Sequence, residues 1–223
     1  MNELDQLMPG EILRDSFAAA IYEICRREPC AHVLEIGSAN GDGSTEAFVA
    51  GLSENPRHPQ LYCLEVSEAR LLALRQRYRP CNFLRALHVS SVALDKFPNA
   101  EQVTHFYNTT RTHLNLYPLE RVLGWLERDR QYLIDHPAIN LDGIELLKRE
   151  PGVEAFDVVL IDGSEFAGEA DLNAAYGAGV VMLDDINAHK NWRNFHRLKN
   201  DAAYQVFDCD WNLRNGYAIF KKR

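Results

Sequence analysis

The run Val33-Leu34-Glu35-Ile36-Gly37-Ser38-Ala39-Asn40-Gly41-Asp42-Gly43-Ser44-Thr45 decides how this chain is read. An apolar strand passes an acidic residue, turns through a glycine-rich stretch and reaches a Ser/Thr pair suited to start a helix. A helix that begins after such a turn aims its first N–H groups at a ligand. Two phosphate-binding readings fail here. A phosphate loop needs a lysine before its Ser/Thr, and Asp42-Gly43-Ser44 has none. A dinucleotide fingerprint needs a third glycine where Glu46 stands. Glu35 and Asp42 would also repel a pyrophosphate, and the same charge would attract a cationic ligand.

On these residues the chain resembles the class I S-adenosylmethionine-dependent methyltransferases, whose first motif is E/D-x-G-x-G-x-G. Here that motif reads Glu35, Gly37, Ala39, Gly41, with alanine at the middle glycine. The resemblance implies that Glu35, Gly37 and Gly41 hold the methionine end of the cofactor, with Ser38 and Ser44 in the same binding turn. The next apolar run, Leu61 to Val66, carries Glu65 at its end, where a ribose-binding carboxylate is expected after a first βα unit. The adenine contact is expected after the third strand, where this chain has Ser90-Ser91, and Asp162 is expected to complete the cofactor site.

Strand and helix signals alternate along the chain, which argues for an α/β domain with a mainly parallel sheet. Leu13, Phe17, Ile21 and Ile24 are spaced as one face of a helix over 11–28. Strands are expected at 31–36, 61–66, 83–89, 155–161 and 179–183, and helices at 44–52 and 67–78, the latter capped by Ser67. Tyr204–Cys209 and Tyr217–Phe220 flank a loop holding Asn215-Gly216, which reads as a closing hairpin. The resemblance implies a Rossmann-like sheet of seven strands in the order 3-2-1-4-5-7-6, ending in that antiparallel hairpin.

At 223 residues the chain reads as a single domain, 1–223, large enough for a sound core. A net charge of −8 argues against nucleic-acid or anionic-membrane partners, and the absence of a signal pattern suggests a cytoplasmic protein. Five cysteines without C-x-x-C spacing read as reduced thiols.

Residues 91–155 exceed what a minimal fold of this kind needs between its third and fourth strands. They read as a helical insertion, with a helix beginning near Pro118 and aromatic or imidazole side chains at His105, Phe106, Tyr107, His113, Tyr117, Trp125 and Tyr132. Such a segment serves as a substrate lid or wall above the strand ends, as a small core of its own, or as a homodimer contact.

Two acidic strand ends carry the expected chemistry. Ile161-Asp162-Gly163-Ser164 follows the fourth strand and Leu183-Asp184-Asp185-Ile186-Asn187 follows the fifth. Neighbouring parallel strands would bring Asp162, Asp184 and Asp185 together, and clustered carboxylates need a cation or a proton. All-oxygen ligands suit Mg²⁺. The pattern looks like that of metal-dependent small-molecule O-methyltransferases, including sugar-modifying enzymes, in which the matching positions hold the ion. The expected function is methyl transfer from S-adenosylmethionine to a hydroxyl of a small-molecule acceptor, with Asp162 or His189 taking the proton. Lys190 and Trp192, in the same loop, are candidate substrate contacts, whereas Glu165 and Glu169 read as solvated. Aminopropyl transfer, nicotinamide chemistry and a non-catalytic cofactor-binding module are the alternatives.

Overall fold

Helix and strand alternate from residue 16. Helix α1 (Ser16–Arg27) leads into β1 (His32–Ile36), α2 (Ser44–Ser53), β2 (Gln60–Glu65), α3 (Glu68–Arg77) and β3 (Leu84–His88). Helices α4 (Ala100–Thr109), α5 (Leu119–Asp135) and α6 (Gly143–Lys148) intervene before β4 (Val158–Ile161). Then come α7 (Gly168–Ala175), β5 (Val180–Asp184), α8 (His189–Asn200), β6 (Tyr204–Asp210) and β7 (Tyr217–Lys222). The computed structural model describes residues 3–7 and 9–223.

The strands form one sheet in the order β3-β2-β1-β4-β5-β7-β6, parallel except for β7, which runs antiparallel to both β5 and β6. This is the order and the closing hairpin that the resemblance implies. Each central strand is apolar on both faces because helices cover both faces. Val33, Leu61, Val158, Leu160 and Met182 pack towards α1, α2 and α3, while Leu34, Ile36, Leu64, Val159, Ile161 and Leu183 pack towards the opposite helical layer. The two-residue period of a strand sorts them without exception in β4.

Several boundaries differ from the sequence expectation for local reasons. The first helix begins at Ser16, not near residue 11, because Asp15 accepts the Ala18 N–H and caps it, while Arg14 takes a left-handed φ of 54°. The segment before it is thereby released to pass over the strand ends. The fourth strand pairs only from Val158, since Asp157 turns its carboxylate back onto the N–H groups of Ala31 and His32. The last hairpin has a six-residue connection, 211–216, in place of a tight turn, and its Asn215 side chain is spent elsewhere. All five cysteines are free, and among the described residues no helix is long and apolar enough to cross a membrane.

Insertion 91–155 does build a core of its own. Val103 of α4, Val122 and Leu126 of α5 and Leu114 between them bury against Phe166. The opposite side of α5 stands over the strand ends.

The anchor of the functional face is Asn191, in the first turn of α8 and fully buried. Its Nδ2 donates to the Ile161 carbonyl at 2.9 Å and the Asp184 carbonyl at 2.6 Å, the last residues of β4 and β5. Its Oδ1 accepts from Asn194, which also donates to the Gly168 carbonyl of α7. One amide therefore locks two strand ends and two helices. Asn191→Ala removes both of these buried hydrogen bonds and the acceptor of Asn194, and is expected to cost about 2–4 kcal/mol in urea unfolding. A loss below about 1 kcal/mol would show that these strand ends hold their places without it.

Candidate active site

A cavity of about 360 Å³ opens at the carboxyl ends of β1, β2 and β4, where ligands bind in open α/β sheets. The glycine-rich turn forms its floor. Gly37 is obligatory there, since its φ is +87° and a Cβ would lie 2.2 Å from the Asp162 carbonyl oxygen. Ser38, Ala39, Asp42, Gly43 and Ser44 continue the floor. Glu65 enters from the end of β2, buried, with its Oε1 accepting the Ser67 N–H at 2.8 Å. Burial pushes its carboxyl above the usual range. Ser90 and Ser91 line the far side, but the Ser90 hydroxyl already donates to the Val92 carbonyl at 2.6 Å.

Two residues expected at the methionine end stand outside the cavity. Glu35 is fully buried beneath the turn, and its carboxylate accepts from the Ser44 and Thr45 hydroxyls at 2.6 and 2.8 Å and from the Cys63 thiol at 3.3 Å. It thus ties β1 to the first turn of α2. Gly41 is a glycine for packing, because a Cβ there would lie 2.5 Å from Leu74 and 2.8 Å from the Tyr78 ring. Its carbonyl accepts the Tyr78 hydroxyl.

The other walls come from chain segments distant in sequence. Helix α5 supplies Arg128, Asp129, Tyr132 and Leu133, and Phe97 precedes α4. The N-terminal segment supplies Leu4 and residues 9–12. Asp5 pins that segment down by accepting from the Tyr132 hydroxyl at 2.8 Å and the Ser67 hydroxyl at 3.0 Å. Altogether seven acidic and three basic side chains line the cavity, which favours a cationic ligand over a phosphate.

At the acidic end, carboxylate oxygens of Asp162, Asp184 and Asp185 come within 4.8 Å of one another, as the strand register demands. Asp185 adopts a left-handed φ of 57°, a conformation aspartate tolerates at a modest cost. The cluster, however, already contains a cation. Lys190 Nζ lies 2.8 Å from Asp162 Oδ1 and 2.7 Å from Asp185 Oδ2. Burial disfavours the ammonium, but Asp162, Asp185, Glu165 and Asp184 outweigh it and hold its pKa well above the ordinary value. Asp184 pairs with Arg214 at 2.9 Å, and Arg214 also pairs with Asp15. Asp185 Oδ1 accepts from Asn215, whose own Oδ1 lies 2.5 Å from His113 Nδ1. Burial pushes Asp162 up, whereas Asp185 is held low against its own burial by Lys190 and Asn215. As placed, the three aspartates do not fit a bare divalent ion, because the ammonium stands between two of them.

His189 is not positioned as a base. It lies outside the cavity, its ring packed against Phe106 and Phe166 at centroid distances of 4.7 and 5.5 Å, and burial pushes its pKa down to about 4. Trp192 likewise packs on Phe106 and His196. Glu165, which reads as solvated in the sequence, instead lines the cavity, and burial pushes it up to about 7. Nothing in the sequence near Glu165 marks this. Only its position three residues beyond Asp162 on the same turn would have suggested it.

Neither a protein-family model nor a curated protein matches the chain in sequence. Solved structures do match in fold. The O-methyltransferase from Bacillus cereus in complex with SAH aligns over 96% of this chain and 84% of its own, at 13% identity and a TM-score of 0.56. Cofactor-bound Rv0187 from MTB aligns over 99% and 86%, at 15% identity and a TM-score of 0.59. The O-methyltransferase TomG from Streptomyces achromogenes, involved in tomaymycin synthesis and solved with SAM, aligns over 92% and 78%, at 13% identity and a TM-score of 0.53. At such identities the likeness is one of fold: this chain has the Rossmann-like methyltransferase fold.

Beneath the cavity, next to Gly163, Asp171 is fully buried, with the Ser91 hydroxyl as the polar group facing its carboxylate. Burial pushes it from an ordinary 3.8 up to about 7. Its native state therefore keeps a proton that the unfolded chain releases, so its contribution to stability is present below pH 3.8 and is lost as pH rises through about 7. Asp171→Asn removes that dependence. In denaturant titrations the variant should gain on the wild type as pH rises from 5 to 7, by at most about 1.4 kcal/mol per pH unit. A difference that stays flat with pH would mean that the carboxylate is ordinarily ionised.

Proposed function

We propose that the chain is an S-adenosylmethionine-dependent methyltransferase that modifies a hydroxyl of a small-molecule acceptor. One observation carries this reading: the glycine turn, the Glu65 carboxylate and Asp162 meet in a single acid-rich cavity. The fold supports it, since the similar structures from Bacillus cereus and Streptomyces achromogenes are O-methyltransferases solved with SAH and SAM. The cavity also fits the cofactor's polar groups. Asp42 Oδ1 is buried at its floor without a hydrogen-bond partner and, with Ser38 lining the same floor, matches an amino-acid end. Glu65 matches a pair of ribose hydroxyls, and Ser91, with Val66, Val89 and Leu133 around it, matches a flat base.

When bound, S-adenosylmethionine supplies a methyl group that its sulfonium already makes electrophilic. The protein's work is then to orient the acceptor, remove its proton and exclude water. The N-terminal segment and α5 wall the cavity on the side away from the sheet. Asp162 and Asp185 are committed to Lys190, and Glu165 is the carboxylate beside them that we assign as the base. Glu165 accepts the Lys190 backbone N–H at 3.2 Å, with the His189 backbone N–H also turned towards it, and its pKa of about 7 suits a base working near neutrality. The acceptor's hydroxyl proton passes to the Glu165 carboxylate, while Lys190 holds Asp162 and Asp185 in register beside it.

Calorimetric titration with S-adenosylmethionine tests the reading directly. Wild type should bind, and Glu65→Ala should weaken binding by about 1.5–3 kcal/mol, the range for a hydrogen bond to a charged group. Absence of binding to the wild type would return the cavity to aminopropyl or nicotinamide chemistry. Glu165→Gln should leave cofactor affinity intact and lower kcat on a hydroxylated acceptor, by roughly 10²–10⁴-fold. If kcat persists with an unchanged pH profile, the proton goes to Asp162 instead.

A further inference from the structure

The three aspartates at the ends of β4 and β5 have the residue types and the convergence of a hard-cation site, and the chain fills that site from within. Lys190 reaches it from the first turn of α8, with its side chain 8% exposed and its ammonium bonded to Asp162 and Asp185. The other charges in the cluster are accounted for as well. Arg214 takes Asp184, and Asn215 takes the second oxygen of Asp185.

Lys190 has little freedom to withdraw. Its backbone N–H is bonded to Glu165, and a Cβ on Gly168 would lie 2.0 Å from its carbonyl oxygen, so α7 and α8 meet at backbone contact. The next residue, Asn191, is clamped to both strand ends. An incoming ion would have to break two charge-assisted hydrogen bonds and displace a buried ammonium from the carboxylates that hold it.

We propose that the ε-ammonium of Lys190 is the resident cation of this centre, standing where a divalent ion would otherwise sit, and that the chain works without a metal. An octahedral ion would keep positions open for several acceptor oxygens. An ammonium has three N–H donors, and two are spent on Asp162 and Asp185. One remains, so the acceptor needs a single oxygen and no neighbouring one. That last consequence rests on the methyl-transfer reading; the assignment of the cation does not.

The test is a Mn²⁺ titration followed by electron paramagnetic resonance. Wild type should show no saturable site, and neither Mn²⁺ nor chelator should move its melting temperature. Lys190→Met exposes the carboxylates to one another and should bind Mn²⁺ at least about tenfold more tightly than wild type. Adding Asp185→Asn should abolish that site. One equivalent of Mn²⁺ bound by wild type, displaced by Mg²⁺ and lost in Asp185→Asn, would overturn the proposal. Should Lys190→Met not fold in metal-free buffer, the wild-type titration decides the matter by itself. Titration of S-adenosylmethionine in chelator, on the same preparation, reads the methyl-transfer assignment separately. With an acceptor in hand, turnover of a lone hydroxyl in chelator supports the one-oxygen site, and turnover confined to vicinal diols with added metal overturns it.

Discussion

Two acidic strand ends that emerge side by side cannot stay together without positive charge between them, and Lys190 supplies it. Much of the surrounding structure follows from keeping that ammonium in place. Helix α8 must begin where its first turn overlies β4 and β5, which Asn191 enforces through the carbonyls of Ile161 and Asp184. Helix α7 must come within backbone contact of it, which the absence of a Cβ at Gly168 allows. Asp185 must turn its carboxylate inward, and it does so from a left-handed backbone that Asn215 and Lys190 together stabilise. Buried charge is tolerable here because each group has its partner within hydrogen-bond distance.

The cavity has two halves of different origin. Its floor comes from the parallel strands, whose ends present Gly37, Glu65 and Asp162 at one level because the strands are in register. Its walls come from α5 of the insertion and from the segment that precedes α1. Asp5 joins the two walls through Tyr132. The floor is therefore the part suited to the cofactor, and the walls are where specificity for an acceptor can change without disturbing the sheet. The insertion's small core around Phe166 lets it hold its shape while one side of α5 faces ligand.

The sheet was legible because parallel strands covered on both faces leave apolar runs, and β1, β2, β4 and β5 each end in an acid or a glycine turn. Glu65 and Asp162 could be placed on the cavity for the same reason: a residue at the end of a strand has only one place to be. Residues within the motif were harder. Glu35 and Gly41 match the motif, yet Glu35 lies a layer below the ligand surface and Gly41 answers to the bulk of Leu74 and Tyr78. His189 and Glu165 exchanged environments relative to expectation, because burial depends on the rings of Phe106 and Phe166 and on the approach of Lys190.

The sequence by itself determined where the strands and helices lie and, once the resemblance supplied the strand order, the gathering of Asp162, Asp184 and Asp185 at one rim. These depend on local periodicity and on the geometry of parallel pairing. Only the tertiary structure decided what neutralises that rim. A lysine five residues beyond Asp185 in the chain could have pointed to solvent, as most lysines do, and left the carboxylates to an ion. The docking of α8 against α7 and the strand ends turns it inward, and that docking is set by long-range contacts of Asn191, Asn194 and Gly168 that no local pattern encodes.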